Sequence, residues 1–174
     1  IKEYLPASLA LRSEGQTKPV ISQEHLSAFR YGMKCFFEEG RALAMLSHPN
    51  VVRVQNFFRA NDTVYMVMEY EHGRTLQELI QKNRAVVTEN FLRNVFTKLL
   101  NGLREVHAHK LLHLDLKPSN IYMRNDYTPV LIDFGAARQT LANDTPMLKP
   151  MYTPGFASPE HYTQRELLGP WSDI

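Results

Sequence analysis

His113-Leu114-Asp115-Leu116-Lys117-Pro118-Ser119-Asn120, then an apolar run and a turn, then Val130-Leu131-Ile132-Asp133-Phe134-Gly135, is the stretch on which the fold turns. The two quoted runs, which together span 23 residues, carry two carboxylates (Asp115 and Asp133), an amide (Asn120) and an amine (Lys117), between a helical stretch and a strand-like run. A lone aspartate or asparagine says little. Several such groups at fixed separations, in a part of the chain where short apolar runs alternate with polar loops, mark a candidate reaction centre, because loops on a rigid scaffold are where chemistry usually sits.

Upstream of it, the spacing predicts a helix with Phe91, Val95, Leu99, Leu103 and Val106 on its buried face, starting near Thr88. Thr75 and Glu78 have capping-box spacing, which predicts a short helix from there. Two strand-like runs, Val51 to Phe58 and Val64 to Tyr70, flank Ala60-Asn61-Asp62, a turn signature that predicts an antiparallel pair. Before them, Leu26, Phe29, Met33, Phe36, Phe37, Leu43 and Leu46 recur at helical steps and predict a long helix ending ahead of His48-Pro49-Asn50. Ile1 to Leu5 reads as the tail of a strand, and residues 6–22, rich in Ser, Gly and Pro, read as loop.

The totals narrow the class. A chain of 174 residues with 44% hydrophobic and 22% charged residues has the composition of one soluble globular domain. Twenty basic residues stand against 18 acidic ones without any block of like charge, so neither nucleic acid nor a membrane surface is implied as a partner. The single cysteine, Cys35, can form neither an internal disulfide nor a thiolate metal cluster, which points to a reducing compartment, with the cytoplasm as the expected location. It is expected to pack, not react. His107, His109 and His113 are close in sequence, but zinc would need a further ligand of suitable geometry.

Together the motifs resemble the protein kinase catalytic domain: HxDxKxxN of the catalytic loop, the DFG motif, and Thr153-Pro154-Gly155-Phe156-Ala157-Ser158-Pro159-Glu160 in place of the family's TPGxxAPE. The resemblance implies an α+β, two-lobed fold, incomplete at both ends. Residues 1–70 would be part of the N-terminal lobe, with antiparallel strands and one long helix; residues 71–174 would be part of the mainly helical C-terminal lobe. The implied activity is that of a Ser/Thr kinase, moving the γ-phosphate of ATP to a protein Ser or Thr with Mg²⁺ as cofactor. Phosphoryl transfer asks a protein to neutralise phosphate charge and align a hydroxyl, with little covalent work of its own. By the resemblance, Asp133 binds Mg²⁺ bridging the phosphates and Asn120 holds a second Mg²⁺. Asp115 orients the acceptor hydroxyl and takes its proton, Lys117 reaches the transferred phosphate, and Thr153 bonds to both. The lysine in the loop is the mark of the family's Ser/Thr enzymes.

Lys2 resembles the ATP-anchoring lysine and Glu39 its ion-pair partner, with residues 6–22 as an insertion that lengthens their spacing. VYMVMEYEHG, residues 64–73, resembles the strand and hinge beside adenine, with Met68 as gatekeeper, the main chain of Glu69 and Glu71 facing the base, and Tyr122 beneath it. Glu160 is expected to pair with an arginine beyond residue 174, and Asp173 to brace the catalytic loop. Ser158 departs from the family's alanine, and Leu114 stands where regulated kinases usually carry an arginine that pairs with a phosphorylated activation loop. Phosphorylation of Thr140 or Thr145 is therefore expected to be dispensable. Two other functions remain open: a pseudokinase serving as a nucleotide-binding or scaffolding module, and a small-molecule kinase of the aminoglycoside or choline type. The first is opposed by the presence of Lys2, Glu39, Asp115, Lys117, Asn120 and Asp133. The second is opposed by the combination of all three motifs.

Overall fold

The structure is a computed structural model that describes residues 1–134, 138–139, 153–163 and 168–174. The chain forms two compact units, one of Ile1–Met45 with Arg53–Glu69, the other of Leu46–Val52 with the described residues from Tyr70 onward.

In the first unit, β1 (Lys2–Glu3) precedes a small antiparallel ribbon of β2 (Ala10–Leu11) and β3 (Val20–Ile21). This corrects the expectation of plain loop over residues 6–22: the segment folds back on itself. Arg12 forks onto the Glu3 carboxylate, holding that carboxyl below its ordinary pKa, and Lys18 pairs with Asp62 at 2.9 Å. The long helix α1 (Leu26–Leu43) stops before Leu46, earlier than its apolar stripe suggested. Phe29, Phe36 and Leu43 are buried on that stripe, whereas Leu26, Met33 and Phe37 are half-buried. Two glycines share the face. A side chain at Gly32 would collide with Tyr4, whose ring tilts against Phe29 and Phe36 at 5.2 and 5.8 Å.

α1 packs on a three-stranded sheet in the order β1, β5 (Thr63–Met68), β4 (Val54–Ala60). Asn61 and Asp62, at φ 51° and 59°, make the two-residue turn whose twist matches a hairpin. β4 begins at Val54 and not at Val51 because the preceding residues are engaged in the second unit. Val51 bridges to Leu131, the Val52 N–H donates to Leu131 O at 2.9 Å, and Asn50 Nδ2 donates to Pro129 O at 2.7 Å.

The second unit contains β6 (Gly73–Thr75) and α2 (Leu76–Lys82), the latter opened by the expected capping box: the Thr75 N–H donates to Glu78 Oε2 and the Glu78 N–H to Thr75 Oγ1. α3 (Glu89–Ala108) is capped by Thr88 and buries Val95, Leu99, Leu103 and Val106. Phe91, expected in that row, is only half-buried, one turn from the helix start with its ring edge-on to Tyr127. Gly102 admits the backbone of Asn50 close to the helix. β7 (Leu111–Leu112) leads into the catalytic-loop sequence, and β8 (Ile121–Arg124) pairs with β6 on one side and β9 (Pro129–Leu131) on the other. β10 (Arg138–Gln139) pairs with β7, and α4 (Pro159–Thr163) follows. No helix among the described residues is long and apolar enough to cross a membrane.

Candidate active site

The loop from His113 to Asn120 is shaped by backbone that its sequence does not favour. Leu114 is buried and sits at φ 62°, a left-handed conformation that costs a bulky residue free energy and persists only where the surroundings impose it. Asp173 supplies that constraint. Its fully buried carboxylate accepts the Leu114 N–H at 2.7 Å through Oδ1 and the His113 N–H at 2.9 Å through Oδ2, with His107 Nε2 at 2.8 Å from the same oxygen.

His113 is fully buried with its ring 4.5 Å from that of Phe134. Its Nδ1 accepts the Asp115 N–H and its Nε2 donates to Ile132 O at 3.1 Å, a pairing that requires the neutral imidazole. Burial pushes its pKa below the ordinary histidine value, against the opposing pull of Asp173. The sign for stability follows: the folded protein refuses a proton that the unfolded chain accepts below about pH 6.5, so stability is fully present above that pH and lost as the pH falls. We expect the unfolding free energy to drop by up to about 1.4 kcal/mol per pH unit from this group between pH 6.5 and 5.5. Denaturant titrations at both pH values check it, with His113→Gln reducing the difference.

The reactive groups converge beyond this support. Lys117 Nζ lies 2.7 Å from Asp115 Oδ2 and donates to Thr153 Oγ1 at 2.6 Å, while the Thr153 hydroxyl donates to Asp115 Oδ1 at 2.6 Å. Asn120 Nδ2 donates to both the Asp115 main-chain oxygen and its Oδ2, each at 2.9 Å. Asp115, Lys117, Asn120 and Thr153 are thus one hydrogen-bonded cluster. Its charged side chains keep about a fifth of their surface exposed. Asp133, at φ 59° and exposed, is carried by a segment tied twice to this loop, through the His113 ring to Ile132 O and through the Ile132 N–H to Asn120 O at 3.0 Å.

The oxygen donors suit a hard divalent cation. Asn120 has turned its amide nitrogen to Asp115, which leaves the amide oxygen to present, and Asp133 adds a carboxylate. No group of three or more His, Cys, Asp or Glu capable of holding a metal occurs among the described residues. Magnesium fits such a sparse set, since it is ordinarily held by one or two carboxylates together with substrate phosphates. The neighbouring histidines have other partners: His107 has Asp173, and His109 has Glu105.

In the other unit, Lys2 points its ammonium over the Phe36 ring at 5.7 Å, and Glu39 lies three residues further along the same helix. Met68 and Tyr122 are half-buried, on β5 and β8, and the Glu69 N–H is taken by Arg53 O, so its carbonyl is the main-chain group it can offer. Glu160 accepts from Ser172 Oγ at 2.6 Å, a local partner that the sequence did not suggest, and this bond lowers its pKa. Ser158 bonds to His161 Nδ1 at 2.7 Å. Gly135, Thr140 and Thr145 lie outside the described residues. Missed altogether was Arg124, which clasps Glu71 from 53 residues away, a separation at which no local pattern operates.

Asp115, Lys117, Asn120 and Thr153 are thus clustered on and against one loop, with Asp133 carried beside it on a segment tied to that loop at Ile132. The family model "Protein kinase domain" matches residues 17–174, and the chain belongs to that family. Lys2 lies ahead of the matched residues. The chain is 32% identical over 159 residues to serine/threonine-protein kinase B of Synechocystis, covering 85% of this chain and 27% of that protein. It is 39% identical over 133 residues to human serine/threonine-protein kinase Nek2, covering 70% of this chain and 30% of that one. Among solved structures, one described as "PpkA-294 apo form" superposes with a TM-score of 0.79 at 32% identity, over 98% of this chain and 60% of its own. The fold is therefore the mixed α/β protein kinase fold. The chain spans less than a third of the length of these two curated relatives.

Proposed function

We propose that the protein transfers the γ-phosphate of ATP to the hydroxyl of a Ser or Thr in a protein acceptor. The observation that carries this is the closed cluster of Asp115, Lys117, Asn120 and Thr153. Asp115 orients the acceptor hydroxyl and takes its proton at a carboxylate oxygen. Lys117 places positive charge beside the phosphate being moved, and Thr153 fixes both side chains. Asp133 and the Asn120 amide oxygen hold Mg²⁺, which when bound neutralises phosphate charge. Lys2, in an ion pair with Glu39, anchors the phosphates. Met68, the Glu69 and Glu71 main chain, and Tyr122 receive the adenine. In this proposal residues 1–70 are part of the small lobe and residues 71–174 part of the large lobe of one kinase domain. The protein works in a reducing compartment, the cytoplasm.

The test is labelled-phosphate transfer from ATP-Mg²⁺ to the intact protein itself and to a generic basic protein, beside Asp133→Asn. Phosphoserine or phosphothreonine formed only by the unmodified protein is the expected result; ATP binding without transfer would leave a pseudokinase or a non-protein acceptor. With Leu114 in place of the arginine that would read a phosphorylated loop, changing Thr140 and Thr145 together to Ala should leave turnover within about twofold of the unmodified enzyme. A strong loss in the same assay would refute this independence.

A further inference from the structure

Between β5 and β6 the chain runs through Tyr70, Glu71 and His72 without a strand partner. The rings of Tyr70 and His72 lie against each other, and Tyr70 is largely exposed. What fixes this segment to the second unit comes from β8. Arg124 Nε and Nη2 each donate to the Glu71 carboxylate at 2.6 Å, a bidentate fork whose acid keeps only 12% of its side chain exposed. Arg124 Nη1 donates to Pro49 O at 2.9 Å, in the turn that Asn50 stitches to β9. The next residue adds a main-chain bond, from the Asn125 N–H to His72 O at 3.2 Å. One guanidinium therefore joins the irregular segment, the Pro49 turn and the β8 strand.

A fork of this kind fixes distance and plane at once, which a single contact does not. The base of a nucleotide read by main-chain groups depends on where that main chain lies, because no side chain can reach out to compensate. Resting on the assignment of adenine to the main chain of Glu69 and Glu71, we propose that Arg124 is a positioning residue for base recognition. It holds the Glu71 main chain at the place where adenine is read, and through it sets the preference for ATP over GTP. Arg124 itself touches neither base nor phosphate in this proposal.

The intact protein, Arg124→Met, Glu71→Gln and the double variant are compared in steady-state transfer assays with ATP and with GTP. Met keeps the length of the stem and removes the fork; Gln keeps the shape of Glu71 and removes its charge. The expected result is a KM for ATP raised about tenfold with kcat within about twofold, since losing binding that is equally strong in the ground and transition states raises KM alone. The ratio of kcat/KM for ATP over GTP should fall at least threefold. The double variant should be no worse than the worse single one, because both remove one shared interaction. If Arg124→Met fails to fold, Glu71→Gln carries the same test. Unaltered KM and nucleotide preference in folded variants, or a fall in kcat alone, overturns the positioning role while the kinase assignment stands. An unmodified protein that neither binds nor turns over ATP overturns both.

Discussion

Asp115→Asn is expected to lower turnover by about 10²–10⁴, the range that a positioned general acid–base group contributes. The geometry explains why an isosteric change does so much. The two carboxylate oxygens receive Thr153, Lys117 and Asn120, all as donors. An amide would aim an NH₂ at one of these donors and remove the charge that holds the Lys117 ammonium at 2.7 Å. The proton acceptor and the alignment of the lysine are lost together. KM for ATP should change little, because the effect falls on the acceptor side of the reaction. Steady-state kinetics with varied ATP check the split, and a variant retaining more than a tenth of the normal kcat would remove Asp115 from the centre of the mechanism.

The second large effect is on stability. Asp173→Ala removes the acceptor of two buried main-chain N–H groups and of His107. Each orphaned buried donor costs about 1–3 kcal/mol, so a loss of about 2–6 kcal/mol is expected. Against a typical total of about 5–15 kcal/mol, that is enough to populate unfolded chains at moderate temperature. Asp173→Asn keeps one acceptor oxygen and should lose less. The denaturant midpoint of the intact protein measures both, and an Ala variant within about 0.5 kcal/mol of the original would show that Asp173 does not brace the loop.

Much of this was legible in the sequence because it depends on local spacing. Thr75 and Glu78 announce their helix three residues apart, Ala60-Asn61-Asp62 announces its turn, and the 3.6-residue row from Val95 to Val106 lies where the periodicity put it. The cluster of Asp115, Lys117, Asn120 and Thr153 was legible through resemblance alone, since Thr153 is 38 residues from Asp115 and no spacing rule connects them. What escaped shares one physical character: a partner distant in sequence decided it. Val51 and Val52 have strand composition, but Leu131 claimed them. The ribbon in residues 6–22 owes its place to Glu3 and Asp62, and the clasp on Glu71 comes from Arg124.

The engagement of Leu46–Val52 bears on how the protein can be divided. These residues are flanked on both sides in sequence by the first unit yet belong to the second, so the chain passes from one unit to the other after Met45, after Val52 and after Glu69. A single cleavage near residue 70 would not yield two self-sufficient pieces. The downstream piece would lack Asn50, leaving the Pro129 carbonyl and the Leu131 N–H without their acquired partners and a bare channel over Gly102 where the Asn50 backbone had lain. Expressed alone, residues 70–174 should be insoluble or aggregate, whereas two pieces co-expressed with the cut at that point can reassociate through the Leu46–Val52 segment.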